Sequence, residues 1–243
     1  MCTQASLFKY DTKHPSTTSV NLLNKMKGIF FDIEVLYFTC FRKTTSTSVL
    51  LSYSIPPFTT IRGFIANCLG LKRDDFSLQN KLKIGIRALY NQEKNRELCR
   101  ILKLVSREKE KCFKRVFPSA PMFREFLINP KYRIYIIAED ELLKRIFKRL
   151  EDPERPLYLG QSEDMVSIEN IEILPIKPTK SNQIHSVVEG IHKNCEIARI
   201  PYKFSLDAKS LEELTISIPM EYPLSLEEEI DCFGFGAELV WCC

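Results

Sequence analysis

The sequence predicts an α+β protein, and three observations carry that prediction. The stretch GIFFDIEVLYFTCF (Gly28–Phe41) places Ile29, Phe31, Ile33 and Val35 on one side and Asp32 and Glu34 on the other, the two-residue period of a strand. Two later stretches carry the helical period instead: Ile61, Phe64, Ile65, Cys68 and Leu69 form one apolar face, and Leu142, Leu143, Ile146, Phe147 and Leu150 form another. The final third adds three β candidates, Cys195–Leu206, Leu214–Pro219 and Gly234–Trp241.

Taken in order, the opening strand is apolar on both sides after Phe38, as for a strand covered on both faces. A polar loop, RKTTSTS, leads to a short extended run, Val49–Ile55, which Pro56 and Pro57 terminate. Thr59 or Thr60 is then placed to cap the first helix, and Gly70 to stop it. This helix carries an oddity near its start, Arg62 beside Gly63, a charge and a helix-weakening residue in an element built for burial. Tyr132–Ala138 reads as a strand. The helix after it, Glu139–Leu150, has acids at its start and bases at its end, which suits the helix dipole. Pro156–Ile176 reads as a short strand, a turn at Gly160 and a further strand, so strand, helix and strand over residues 132–163 resemble half of a ferredoxin-like unit. Gly234 and Gly236 mark a strand-to-strand turn or a close backbone approach.

The chain has 243 residues, enough to bury a sizeable core, and its 44% apolar and 27% charged residues are globular proportions. No apolar run approaches the ~20 residues of a membrane span. Residues 1–25 are polar and lack the pattern of a signal peptide. They read as a dispensable extension before a natural start at Met26. The nine cysteines include no C-x-x-C pair, and several sit in apolar runs. They read as reduced structural thiols of a cytoplasmic protein.

Few chemistries survive inspection. The three histidines, His14, His185 and His192, come with no H-E-x-x-H or carboxylate pattern, so no metal site is expected. Serine-nucleophile and phosphate-loop signatures are absent. A metal-free ribonuclease needs only a base such as His, Tyr or Lys near a 2′-hydroxyl, and this stays open. Charge is distributed unevenly. Lys81–Arg115 holds twelve basic residues against four acidic ones, whereas the whole chain is only +4, leaving the remainder at net −4. Such segregation points to a polyanion partner for the basic segment. Within it, Arg96, Arg100, Lys103 and Arg107 are candidate backbone contacts, and Tyr90 and Phe113 candidate base-stacking rings.

Phe41–Arg42 after an opening strand, IPPFTTIRGFIANCLG (Ile55–Gly70), FREFLINPKYRIYI (Phe123–Ile136) and PLYLGQSEDMVSI (Pro156–Ile168) occur in this order. Together they resemble the family-five CRISPR-associated proteins of the repeat-associated RNA-binding superfamily, over roughly residues 27–175. The resemblance implies a ferredoxin-like, RNA-recognition-type (RRM) domain over 26–180 with a basic thumb inserted at about 72–120, and a smaller β-rich region over 181–243. It implies a non-catalytic subunit of a type I surveillance (Cascade) complex. Such a subunit holds the 5′ handle of the CRISPR RNA (crRNA), joins the backbone and large subunits, and meets target DNA through the complex, without cofactor or membrane. Arg42, Lys43, Arg62 and Gly63 then join Arg96, Arg100, Lys103 and Arg107 as expected RNA contacts. Arg62 would meet a phosphate near the helix start, or else an acidic neighbour. Gly63 would let RNA or a strand approach closely. Two alternatives stand beside this reading: a metal-independent endoribonuclease that processes precursor RNA, and a protein-interaction module that turns its basic segment to an acidic partner.

Overall fold

The computed structural model describes residues 26–46, 49–89, 93–102, 119–205, 207 and 209–243. Among these, the chain forms fourteen strands and two helices, an α+β arrangement dominated by sheet. The first half runs β1 (Lys27–Val35), β2 (Phe38–Thr39), β3 (Phe41–Arg42), β4 (Ser52–Tyr53), α1 (Phe58–Cys68), β5 (Lys83–Ala88), β6 (Glu93–Leu102) and β7 (Ser119–Ile128). The second runs β8 (Lys131–Ile137), α2 (Asp140–Glu151), β9 (Val166–Ile184), β10 (Val188–Glu189), β11 (Cys195–Phe204), β12 (Leu211–Pro219), β13 (Leu224–Phe235) and β14 (Glu238–Val240).

The main sheet has six strands in the order β14-β13-β9-β1-β8-β5, each pair antiparallel. Helix α1 lies in the connection from β1 to β5, and α2 in the connection from β8 to β9. Alternation along β1 turns Ile29, Phe31 and Ile33 into one core with Ile61 and Ile65 of α1 and Ile146 of α2, all with no exposed surface. Phe31 and Phe64 stack at 6.1 Å. Each fully buried side chain of this kind stabilises the fold by about 1.5–3 kcal/mol.

On the other face of the sheet Asp32 is buried, and Arg133 donates to both of its oxygens (2.7 and 2.9 Å). Asn170 adds a third hydrogen bond at 2.8 Å. The β1–β9 register shifts between Phe30 and Asp32, and Asn170, with φ 52°, occupies that irregularity. The bulge turns its amide back onto the carboxylate.

Local chemistry explains the elements that differ from expectation. The opening strand is interrupted at Tyr37 (φ 71°), whose N–H donates to Asn129 Oδ1 and whose carbonyl accepts from Asn129 N–H, both at 2.8 Å. The chain turns there, and β2 leaves the main sheet to pair with β7. Neither threonine caps α1: Pro57 is the N-cap, without a side-chain hydrogen bond, and Thr59 and Thr60 lie in the first turn. The expected stop holds. Gly70 has φ +72°, its N–H donates to Asn67 O, and Leu71 N–H donates to Ala66 O, a Schellman closure.

The expected insertion at about 72–120 holds elements of two different sheets among its described residues. Lys83–Ala88 is a strand of the main sheet, and the inserted element is the β6–β7 hairpin between neighbours β5 and β8. A boundary at residue 180 would cut β9, while β13 and β14 belong to the main sheet. Strands β10, β12 and β11 make a separate small sheet, yet Ile200 and Ile216 lie in the same core as α1. The Gly234–Gly236 expectation stands as a hairpin turn from β13 to β14, with Gly236 at φ +62°.

Candidate nucleic-acid interface

Three arginines from three strands line one groove of about 610 Å³: Arg42 of β3, Arg100 of β6 and Arg124 of β7. Backbone pairing brings them together. Phe41 and Arg42 pair with Tyr53 and Ser52, which fixes β3 on β4. Leu50 then bonds β7 on both sides, donating to Phe123 O at 2.9 Å and accepting from Glu125 N–H at 2.8 Å. Ser52 N–H donates to Glu125 Oε2 at 3.0 Å. These bonds set the β3–β4 pair beside β7, and β6 follows through its ten-residue register with β7.

The groove's remaining wall is the start of α1, through Pro57 and Thr60, and the turn at Gly160 and Gln161. The first turn of α1 holds no acid and has no side-chain cap, so its peptide dipoles add positive potential to that of the guanidinium groups. The Nε of Arg124 is buried without a hydrogen-bond partner among the described residues. The turn is held from beneath by Asp164, which is almost wholly buried. It accepts from Thr39 Oγ1 at 2.7 Å and from Gln161 N–H at 3.3 Å. Burial pushes the Asp164 carboxyl above its ordinary pKa, against the hydrogen bonds of Thr39 and Gln161 and the charge of Arg124. Cys40, another lining residue, is also pushed up by burial, which leaves it a poor nucleophile. Three arginines and a bare glycine give the groove cationic walls, the chemistry that attracts a phosphate.

The expected contacts divide. Arg42 and Arg100 are brought together in the groove. Lys43 is not part of it, and its Nζ lies 5.4 Å from the centre of the Tyr53 ring. Arg96 is drawn away to Glu125 at 3.6 Å. Arg62 is a correction: it is 1% exposed, donates to Tyr202 O at 2.7 Å and Leu82 O at 3.4 Å, and stacks over Tyr202. Two backbone carbonyls at the core edge hold its terminal nitrogens, and its Nε is buried without a hydrogen-bond partner among the described residues. Gly63 is exposed, and no strand packs on it: a Cβ there would meet nothing within 4 Å. Lys103, Arg107, Tyr90 and Phe113 lie outside the described residues. Arg124 was missed because it falls beyond the charge-rich window, although it sits inside the Phe123–Ile136 stretch that carried the resemblance.

No helix among the described residues is long and apolar enough to cross a membrane, and none of their His, Cys, Asp and Glu side chains cluster as metal ligands. His185 Nδ1 accepts from Leu239 N–H at 3.1 Å, and a His192 ring nitrogen lies 3.0 Å from Glu189 O.

Known proteins place this architecture in a class. A solved structure described as a CRISPR RNA-guided surveillance complex matches at TM-score 0.50 and 12% identity, over 86% of this chain and 95% of the other. A crystal structure of a CRISPR protein from Archaeoglobus fulgidus matches at TM-score 0.51 and 15% identity, over 88% and 98%. No curated protein sequence matches. The family model described as CRISPR-associated protein (Cas_Cas5) matches residues 34–207, well over half of the sequence. The chain belongs to that family.

Proposed function

We propose that this chain is the non-catalytic RNA-binding subunit of a type I CRISPR surveillance complex, holding the 5′ handle of the crRNA in the arginine groove. The observation that carries the reading is the convergence of Arg42, Arg100 and Arg124 on the uncapped start of α1. Strands β9-β1-β8-β5, with α1 and α2 in the two connections, read as the ferredoxin-like core, and the β6–β7 hairpin as its inserted thumb. Phosphates bind through charge, so the groove takes single-stranded RNA with strong salt dependence. A backbone and a large subunit are the protein partners, the chain acts in the cytoplasm, and target DNA is met through the assembled complex. Cofactor-free holding rather than cutting is supported by the described histidines, each engaged with backbone away from the groove.

The test is incubation of the purified chain with its own repeat RNA in EDTA, followed by native and denaturing gels. A shifted, intact RNA is the expected result. A discrete shortened product favours a metal-independent endoribonuclease, and no shift at low salt favours a protein-interaction module.

A further inference from the structure

The arginine groove does not end at Thr60 and Gly160. The same two residues line a second groove of about 510 Å³, which runs along the outer side of α1 past Gly63. That volume is within the roughly 300–1,000 Å³ of small-ligand sites.

Two glycines leave bare backbone along this path. Gly160 has φ +107°, and a Cβ there would come within 3.2 Å of Asp164 Oδ2 and 3.3 Å of Thr39 Oγ1. Gly63 weakens the interior of α1, yet no neighbour in the fold requires it, since a Cβ would project into open space. The walls have the chemistry of a nucleotide. Tyr158 is 36% exposed, and Phe76 is held edge-on to Phe204 at 5.6 Å. Arg155 is fixed at the rim by donating to Leu71 O (2.8 Å) and Gly70 O (3.2 Å). Two acids lie toward the far end of the groove: Asp75, which accepts from Ser77 N–H at 2.9 Å, and Asp74, exposed beside Arg73 at 3.8 Å.

We infer that the second groove is a nucleotide subsite continuous with the arginine groove, in which a single strand crosses the Thr60–Gly160 saddle and sets its next base against Gly63. The subsite rests on the RNA-binding reading above and adds to it a steric requirement at one residue. A side chain at position 63 would occupy the space of the base while leaving the arginines untouched. Stacking on Tyr158 tolerates any base, so the subsite selects for a continuing strand rather than for a sequence.

Fluorescence anisotropy with labelled oligouridylates of three and eight nucleotides tests this on wild type, Gly63→Ala, Gly63→Leu and Arg124→Ala. Gly63→Leu should lose at least tenfold in affinity for the eight-mer and keep wild-type affinity for the three-mer. Gly63→Ala, which should melt at or above wild type, should show a smaller loss in the same direction, so the result does not depend on how the leucine variant folds. Arg124→Ala should weaken both oligomers. If folded Gly63 variants bind both oligomers like wild type while Arg124→Ala weakens them, the subsite is overturned and the RNA-binding reading stands. If wild type binds neither oligomer, both fall.

Discussion

Arg62 and Asp32 are buried charges with different solutions. Among the described residues no carboxylate pairs with Arg62; it bridges α1 to the carbonyls of Tyr202 and Leu82, tying the first helix to β11. Arg62→Ala leaves a cavity and two unsatisfied carbonyls, and should cost about 2–5 kcal/mol in chemical denaturation. Arg62 lines only the second groove along α1, so binding of a three-nucleotide strand in the arginine groove should not change per folded molecule; a stable variant with weakened three-nucleotide binding would return Arg62 to that interface. Burial acts to raise the pKa of Asp32, but the hydrogen bonds from Arg133 and Asn170, with the charges of Arg133 and Lys131, outweigh it and hold the carboxyl below its ordinary value. A lowered folded-state pKa gives stability that is present above the unfolded value of 3.8 and lost as pH falls through the folded one. Wild type should therefore lose stability in acid below about pH 4, and Asp32→Asn should flatten that decline while costing about 3–5 kcal/mol at neutral pH. An unchanged acid profile in the variant would show that the pair is not coupled to folding.

At the scale of elements, the β6–β7 hairpin decides which cations are free. Arg96 and Arg100 look alike in the sequence, four residues apart in a basic run. In the hairpin register Arg96 stands opposite Glu125 and pairs with it at 3.6 Å, while Arg100 stands opposite Pro121 and lines the groove. Arg100→Ala should reduce the salt slope of single-stranded RNA binding by about 0.7, and Arg96→Ala by much less. Equal reductions would mean that the Arg96–Glu125 pair opens on binding. This contrast marks the limit of the sequence reading. Periodicity located β1, β8, α1 and α2, because their apolar faces are long and regular. The partner of Arg96 depends on a cross-strand register, which no local pattern encodes. Arg62 was misplaced for a related reason: helical spacing put it one residue off the buried face, and the carbonyls that receive it come from distant segments.

For the whole molecule, β9 runs from Val166 to Ile184 across the expected boundary at residue 180 and pairs with β1 along its first part and β13 along its second. Ala198, Ile200, Ile216 and Ile218 share a core with Ile29 and Phe31. The two regions should therefore unfold together. The single tryptophan, Trp241, packs near Phe58 of α1 at 6.4 Å and reports on that junction. Its fluorescence and far-UV circular dichroism should trace the same denaturant midpoint, and separated midpoints would indicate two independent units. The shared core also holds the arginine groove in place, since its walls come from β3, β6, β7, the start of α1 and the turn before β9.

The most direct measurement is a salt titration of the affinity for the cognate repeat RNA, comparing wild type with the Arg42→Ala, Arg100→Ala, Arg124→Ala triple variant. Three lost phosphate contacts on a single strand should flatten the log–log slope by about 2 and weaken binding most at low salt, with the melting transition retained. A folded triple variant with wild-type affinity and slope would contradict the assignment and place the RNA on another surface.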